Sequence, residues 1–368
     1  MAKRHDLKVP LPKEETPRPS LVPTDPAKEN KLGGFFEERL RLSVFNYSIP
    51  KHANSMWYAL GGATFTLLVL LMITGPLMTQ YFNPSVGQAH KSILYIINTA
   101  NLGWFIRGIH HWAAQLILVA LMLHMGRVIV TGSYKRPREI TYFVGITLMF
   151  FMFLMIFTGT MIKWDQEGFE ALAHFAAIGK IFGYFGRVFM PSFTSSTHLL
   201  SRVYALHISI LPAIIGIFIV VHFYLIKVLK ISPLPGKEKE KQEETSTYTE
   251  HMKLLLKVSL GVTAVVMLLA LVFGPPFGAE PVQMETGVKP PWMFLWLYAL
   301  ENVVGIPGII YGMGGLFVAL LLFPFIDRGE ERRLRKRLPV MILLGVIFVT
   351  LIALSIAGYV SPPQIHSM

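Results

Sequence analysis

The sequence contains no cysteine among its 368 residues. Disulfide bonds, thioether-linked haem and iron–sulfur clusters held by this chain alone are therefore excluded, because each of them needs a cysteine sulfur. Charged residues are also few, at 15%, whereas 53% of the residues are hydrophobic. This composition is typical of a multi-pass membrane protein. If such a chain carries electrons, its metal ligands must be histidines.

Seven apolar runs are long enough to cross the hydrocarbon core of a membrane as helices. They lie at about 57–80, 104–131, 140–162, 199–229, 253–274, 303–326 and 338–360. The sixth run is the least regular, because Gly305, Pro307 and Gly308 interrupt its start. The sequence therefore predicts an all-α polytopic membrane protein.

The net charge of +12 is concentrated in alternate connections between these runs. Lysine and arginine gather before the first run and within 132–140, 227–242 and 327–337, and the other connections hold few. With seven spans the basic connections all fall on one side, as the positive-inside rule requires. The N-terminus is therefore predicted to be cytoplasmic and the C-terminus external. The same placement argues that the basic charge serves the membrane and no nucleic acid.

The N-terminal segment 1–34 is polar and rich in proline and lysine, and it has no apolar core of the kind found in a signal peptide. It is predicted to be a disordered cytoplasmic tail. The next stretch, 35–45, mixes apolar and charged positions at helical spacing. That pattern suits a helix lying on the membrane surface, and a loop is the alternative.

The second and fourth spans each carry two histidines on one helical face. His110 and His124 are 14 residues apart, about 40° short of four turns, and His207 and His222 are 15 apart, about 60° beyond four turns. At the rise of an α-helix each pair is separated by about 21–22 Å along its axis. Each helix thus places one histidine near each membrane edge. His111 points away from this face and is given no ligand role.

Two facing helices of this kind can hold two flat cofactors stacked across the bilayer. Haem b with two axial imidazoles fits, because it takes ligands from facing helices and supplies its own apolar surface. Since both spans run from outside to inside, His110 is paired with His207 in an outer haem and His124 with His222 in an inner one. Histidines hydrogen-bonded within a bundle, or a proton relay, are the alternatives.

Glycines and arginines accompany the histidines. Two glycine pairs repeat the 14-residue interval on the first and third spans: Gly61 with Gly75, and Gly145 with Gly159. A residue without a side chain lets a macrocycle approach the backbone, although close helix packing also uses small residues. Arg107 and Arg127 stand at the two membrane edges, where haem propionates would end. Snorkelling to lipid headgroups is the alternative for both.

Several segments resemble cytochrome b of the cytochrome bc and b6f complexes. Residues 103–142, which begin GWFIRGIHHW, resemble the second transmembrane helix of the b6 type. Residues 201–227 resemble its fourth helix, including the 15-residue histidine interval of the b6 branch. FFEERL and WYALGGATFTLLVLLMITG match its amphipathic helix and first span. KWDQEGFEA, at 163–171, resembles the start of the loop over the outer quinone pocket.

The resemblance implies electron transport, with the chain as the cytochrome b subunit of a quinol:cytochrome c oxidoreductase. Quinol would be oxidised at an outer site and pass one electron to a Rieske iron–sulfur protein. The other electron would cross through the outer and inner haems to an inner quinone site, contributing to the proton motive force. The implied partners are the Rieske protein, a c-type cytochrome subunit and a second copy in a homodimer. The implied location is a bacterial inner membrane, and the expected quinone is menaquinone.

The resemblance also divides the chain into parts. Residues 35–230 correspond to a four-helix dihaem domain of the b6 type, 231–252 to a charged cytoplasmic linker, and 253–368 to a domain like subunit IV with about three further spans. The b6 proteins have cysteine where this chain has Ala59, so any third haem on the inner side would not be covalently attached.

The outer-site motif of the family, Pro-Glu-Trp-Tyr, is altered to Pro290-Pro291-Trp292-Met293. Its glutamate is the usual proton acceptor, and Pro291 cannot accept a proton. Trp292 keeps an aromatic wall that suits a quinone ring. The acid–base role must therefore be relocated, and four residues after the third span are candidates: Asp165, ranked first, then Glu170, with Glu167 and His174. A solvated loop charge is the alternative for each.

Two other functions share some of these features. A dihaem cytochrome b that anchors another quinone-linked enzyme, such as a hydrogenase or formate dehydrogenase, would share haem and quinone but not seven spans or the altered outer motif. A haem-free transporter would use the histidines as proton carriers. A reduced-minus-oxidised visible spectrum distinguishes the transporter, which would show no b-type haem band. Co-purification with a Rieske protein distinguishes a cytochrome b of the bc type from the anchor of another enzyme.

Overall fold

The computed structural model describes residues 48–236, 245–282 and 288–363, together with Phe35, Glu38 and Arg39. By its contacts the chain forms two units, Met1–Tyr47 and Ser48–Met368. In the first unit the three described residues are helical, and Arg39 pairs with Glu38 at 2.9 Å. The predicted tail and the rest of the predicted surface helix lie outside the described residues.

The described residues of the second unit form helices and one two-stranded antiparallel sheet, joined by loops. Its first part contains β1 (Ser48–Pro50), α1 (Met56–Thr79), α2 (Ala89–Asn98), α3 (Gly103–Val130), α4 (Glu139–Ile162), α5 (Gln166–Ile181), the one-turn α6 (Gly183–Gly186) and α7 (Leu199–Leu229). Its second part contains β2 (Thr245–Thr247), which pairs with β1, then α8 (Tyr248–Val272), α9 (Leu295–Val304), α10 (Ile306–Ile326) and α11 (Leu338–Val360).

Seven of the described helices are long and apolar enough to cross a membrane: α1, α3, α4, α7, α8, α10 and α11. They are apolar on most faces, as expected where lipid surrounds them and the helix satisfies its own backbone groups. The predicted number of spans and the all-α fold are therefore confirmed. Side chains that stay exposed on these helices, such as Val220 on α7 and Leu268 on α8, present an apolar surface to lipid.

The sixth span begins later than the sequence predicts. The apolar run was expected from 303, but α9 ends at Val304 and α10 begins at Ile306. Gly305 separates them in the left-handed region, with φ at 79°, a conformation that glycine adopts without strain. Pro307 then occupies the first turn of α10, where its missing N–H costs no hydrogen bond.

The four-helix part is built from two helix pairs. α3 packs along α1, α4 packs along α7, and α8 covers both α1 and α3. Ile117 and Leu118 of α3 and Ile146 of α4 are almost completely buried in the shared core. α9 packs against α10 and α11, and α10 also contacts α4, so the last spans lie against the first bundle.

The basic connections meet at one end of the bundle. Lys135, after α3, binds Asp327, after α10, at 2.7 Å, and Arg337 binds the other oxygen of Asp327 at 2.8 Å. Ser133 also bonds to Ser232, after α7, at 2.7 Å. The three connections that the charge pattern predicts to share one side of the membrane are therefore in mutual contact.

The same end holds the C-terminus of α3. Arg337 donates to the carbonyl oxygens of Ile129 and Val130 at 3.0 and 3.1 Å. A cation is favoured there, because the last carbonyl groups of a helix lack partners within the helix and carry partial negative charge.

Candidate functional site: two histidine pairs and a cavity

His110 on α3 and His207 on α7 line one cavity of about 940 Å³ at the end of the bundle opposite the basic connections. The walls of the cavity are predominantly apolar and come mainly from α1, α3, α4 and α7, with smaller contributions from α2 and α5. The segment before α9 closes one side of it with Pro290, Pro291 and Trp292. The structure therefore brings together two predicted haem ligands and the altered motif.

Each of these two histidines is oriented by a threonine. The hydroxyl oxygens of Thr74 and Thr158 lie 2.9 Å from Nδ1 of His110 and His207, respectively. Each hydroxyl also donates to a carbonyl one turn back in its own helix, at 2.7 Å for Thr74 and 2.8 Å for Thr158. Because the hydroxyl proton is used there, Nδ1–H must be the donor to the threonine oxygen. Nε2 is then left with the lone pair that a metal needs.

A glycine of a neighbouring helix lies against each imidazole of this pair. A Cβ atom placed on Gly75 of α1 would be 3.5 Å from Cε1 of His110. One placed on Gly159 of α4 would be 3.1 Å from Cε1 of His207, which is tighter than ordinary van der Waals contact. The glycines thus leave room for the rings and for a flat group between them.

The second histidine pair repeats this arrangement nearer the basic connections. A Cβ atom on Gly61 would be 3.2 Å from Cε1 of His124, and one on Gly145 would be 3.7 Å from Cε1 of His222. Nδ1 of His124 is buried without a hydrogen-bond partner among the described residues, so His124 lacks the threonine contact that orients each histidine of the outer pair.

A π turn at Leu206–Ile210 explains the unequal histidine intervals. His207 lies in this turn, and Pro212 follows it without an N–H to donate to the carbonyl of Ile208. A π turn accommodates one residue more than an α turn. The 15 residues from His207 to His222 therefore span nearly the same rotation as the 14 from His110 to His124.

The two predicted propionate partners lie at opposite ends of α3. Arg107 lines the cavity and donates to the carbonyl oxygens of Pro275 and Pro276 at 3.1 and 2.9 Å. Arg127 places its guanidinium 4.7 Å from the ring centre of Tyr58. Each arginine is held at the level of one histidine pair, and binding of propionates remains a prediction for both.

Trp292 provides the aromatic wall expected of the altered motif. Its Nε1 donates to Oε1 of Gln115 on α3 at 2.7 Å, and 47% of its surface is exposed. This hydrogen bond fixes the indole at the mouth of the cavity. Met293, in contrast, is buried in the core beneath it.

Comparison with known proteins assigns the family. Residues 44–230, more than half of the chain, match the family Cytochrome b/b6/petB, and residues 278–368 match Cytochrome b(C-terminal)/b6/petD. The chain belongs to the cytochrome b/b6 family.

Two named proteins and one solved structure are similar to this chain over most of their length. Cytochrome b6 of Synechococcus elongatus is 34% identical over 212 residues, which cover 55% of this chain and 98% of that protein. The cytochrome bc complex cytochrome b subunit of Chlorobaculum thiosulfatiphilum is 28% identical over 364 residues, covering 92% and 83%. A chain of a solved hyperthermophilic respiratory complex III has the same fold, with a TM-score of 0.77, 23% identity and coverage of 90% and 92%.

Asp165, ranked first as a proton acceptor in this cytochrome b, has its carboxylate bound on several sides. One oxygen accepts from the backbone N–H of Gly168 at 3.0 Å and caps α5, and the other accepts from Gly278 at 2.9 Å. Lys163 lies 3.0 Å from the second oxygen, and Asp165 is 1% exposed. These contacts join α5 to the segment after α8. The proton-accepting role of Asp165 remains a prediction.

Glu170 and His174 lie further along α5. Oε1 of Glu170 is 3.5 Å from Nε2 of Gln166, and its carbonyl accepts from Nδ1 of His174 at 2.7 Å. Nε2 of His174 lies 2.8 Å from Oε1 of Glu301 on α9, which is almost completely buried. The proton-accepting role of Glu170 also stays a prediction.

Several polar residues of the site were not predicted to belong to it, among them Thr74, Thr158 and Glu301. The two threonines carry a sequence signal, because each directly precedes one of the glycines, in Thr74-Gly75 and Thr158-Gly159. Glu301 carries none that we recognise, since it contacts a residue 127 positions away and lies in an otherwise apolar helix.

Proposed function

We propose that this chain is the cytochrome b subunit of a quinol:cytochrome c oxidoreductase with two haem b groups. His110 and His207 would hold the outer haem iron, and His124 and His222 the inner one. The observation that supports this most is one arrangement found twice: a histidine of α3 and one of α7 at the same level, each with a glycine of α1 or α4 against its ring.

The residues present suit haem b. When bound, haem supplies one-electron transfer between an outer and an inner quinone site. The chain orients each outer imidazole through Thr74 or Thr158, which leaves the lone pair of Nε2 available to the iron that these histidines would hold. The glycines keep the space for the flat ring, and the arginines at both ends of α3 offer charge to propionates.

The outer cavity suits a quinol. Its walls are predominantly apolar, and polar groups stand at few points, which is the pattern of sites that bind a largely apolar ring and fix its orientation. Trp292, held by Gln115, would stack against the ring. Menaquinol is the proposed substrate, because the altered motif at Pro291 and Met293 departs from the family pattern.

The remaining parts of the proposal concern assembly and location. We assign 35–230 to the dihaem domain, 231–252 to a cytoplasmic linker and 253–368 to the domain like subunit IV. A Rieske iron–sulfur protein and a c-type cytochrome are the proposed partners, in a homodimer within a bacterial inner membrane. The meeting of the basic connections at one end of the bundle supports a cytoplasmic N-terminus.

The test is spectroscopic. Membranes or the purified complex should show the α band of b-type haem in a reduced-minus-oxidised spectrum, and dimethylnaphthoquinol, a soluble menaquinol analogue, should reduce that haem. A Rieske protein should co-purify with the chain. Absence of the b-type band, or a haem that no quinol analogue reduces in the intact complex, would overturn the proposal.

A further inference from the structure

Glu167 is the only carboxylate among the described residues that line the outer cavity. The other ionisable groups that line it are Arg107, His110, His111, Lys163, Tyr204, His207 and Lys289. Because His110 and His207 are assigned to haem, they are not available as bases.

The position of Glu167 combines access to the cavity with partial burial. It lies in the first turn of α5, where the helix N-terminus favours an anion. Oε2 of Glu167 is 2.7 Å from Nζ of Lys163, and the side chains of the two residues are 22% and 18% exposed. No backbone amide holds this carboxylate in the described contacts, whereas the carboxylate of Asp165 binds two. In the described contacts the carboxylate of Glu167 is therefore held by the side chain of Lys163 and by no backbone amide.

We propose that Glu167 accepts one of the two protons released when quinol is oxidised in this cavity, and that Lys163 sets the pH range in which it does so. The proposal rests on the quinol-oxidising function proposed above. It gives the carboxylate role that Pro291 cannot fill to a residue on another part of the chain.

Oxidation of one quinol releases two protons and two electrons. One quinol hydroxyl O–H bond breaks, and its proton forms a new O–H bond on a carboxylate oxygen of Glu167. The second proton leaves with one electron toward the iron–sulfur partner. The other electron would go to the haem that the His110–His207 pair would hold, and loss of both electrons and both protons converts the quinol to quinone.

The surroundings of Glu167 adjust its affinity for the proton in opposite directions. Burial raises the pKa of Glu167, the charge and hydrogen bond of Lys163 lower it, and the charge of Asp165 raises it, with a net increase above the ordinary value of 4.5. A general base is most effective when its pKa lies near the operating pH. Glu167 accepts a proton only when ionised, so the rate of haem reduction should rise with pH through this pKa. Removing the cation of Lys163 should raise the pKa and move that rise to higher pH.

The experiment uses the intact complex and rapid mixing with dimethylnaphthoquinol, with reduction of the b-type haem as the readout. Glu167→Gln should slow haem reduction by about 100-fold, the lower range for loss of a positioned acid–base group. Glu167→Asp should recover part of the rate, and Lys163→Met should shift the pH profile upward. Glu280→Gln is the matched control, because Glu280 is an exposed carboxylate in the segment after α8.

A second readout does not depend on turnover. The redox-induced infrared difference spectrum of the complex with the same quinol should contain a protonated carboxyl band that disappears in Glu167→Gln and persists in Glu280→Gln. Unchanged haem spectra in every variant serve as the measure of intact folding.

The outcomes separate this proposal from the function on which it rests. If the wild-type haem is reduced by quinol while Glu167→Gln keeps the wild-type rate, pH profile and carboxyl band, the role of Glu167 is overturned and the quinol function stands. If Lys163→Met leaves the profile unmoved, the role of Lys163 is overturned. If quinol does not reduce the wild-type haem, the proposed function itself fails.

Discussion

The imidazole of His174 and the carboxylate of Glu301 form a contact of 2.8 Å between Nε2 and Oε1 that ties α5 to α9. Nδ1–H of the same ring donates to the carbonyl of Glu170. Burial lowers the pKa of His174, but the hydrogen bond and charge of Glu301 and the bond to Glu170 outweigh it, so the pKa lies above its ordinary value of 6.5. A proton held in this pair therefore links two distant parts of the chain.

We expect the attachment of α5 to α9 to weaken as the pH rises above 6.5 and through the raised pKa of His174. The folded pKa is raised, so the stabilisation is fully present below the unfolded pKa and is lost at higher pH. Hydrogen exchange of residues 166–181 in the intact complex should accelerate over this range. Glu301→Gln should remove most of that pH dependence, since its amide carries no charge. The same pH dependence in the variant and the wild type would contradict the assignment.

Replacing the proposed ligands should separate the two haems. His110→Ala and His207→Ala should each lose one b-type haem, and His124→Ala should lose the other, because each haem depends on its own pair of imidazoles. The visible spectrum and the haem content per chain measure the loss. His111→Ala is the control and should keep both haems. If His111→Ala lost a haem while His110→Ala kept both, the assignment of His110 to the ligand-bearing face of α3 would be wrong.

Substitution of the glycines that contact the histidines should reduce haem binding, as substitution of the histidines does. Gly159→Val would place a Cβ atom 3.1 Å from the His207 ring, with two further methyl groups in the space for the cofactor. We expect loss of the outer haem at an otherwise intact bundle, measured by haem content. Gly345→Val on α11 is the matched control, because a Cβ atom there has nothing within 4 Å. Equal haem content in the two variants would show that the glycine only packs helices.

Asp165→Asn tests whether this residue is a clamp or a base. An amide can accept from one of the two backbone N–H groups but holds Lys163 poorly, and an unsatisfied buried group costs about 1–3 kcal/mol. We expect a lower thermal stability of the complex. Because the charge of Asp165 raises the pKa of Glu167, the rise of the haem-reduction rate with pH should persist in this variant but move to lower pH. Loss of that rise at wild-type stability would instead make Asp165 the proton acceptor, as its position in the sequence predicts.

The orientation in the membrane is open to a direct measurement. A reporter fused after residue 240 should report cytoplasm, and one fused after residue 368 should report the outside, because seven spans separate the predicted N- and C-terminal sides. If both reporters lay on the same side of the membrane, the predicted topology would be wrong.

The spans could be predicted closely from the sequence, because hydropathy alone determines where a helix meets lipid. The predicted run 140–162 corresponds to Glu139–Ile162, and 338–360 to Leu338–Val360. The sequence shows an interruption near Gly305. It does not show that a separate helix ends just before this residue, because the apolar side chains continue on both sides of it. That helix is short and packs within the protein, which hydropathy does not distinguish from a span.

The histidine faces could also be predicted, because the helical repeat is regular over four turns. The π turn around His207 could not, as the sequence shows only the 15-residue interval that the turn accommodates. Contacts between segments that are distant in the sequence could not be predicted either. Glu167 was among the candidates by its place in the loop, but only the structure separates its carboxylate, in the cavity, from that of Asp165, bound to backbone amides.

The cluster of Lys135, Asp327 and Arg337 has a consequence for how the chain can be divided. These groups, with the bond from the Tyr142 hydroxyl to the carbonyl of Leu320 at 2.8 Å, fasten the last spans to the first bundle without using the segment between α7 and α8. A break within 237–244 would leave every one of these bonds in place. Two separately synthesised polypeptides, ending and starting there, could therefore recognise each other and assemble into the same subunit.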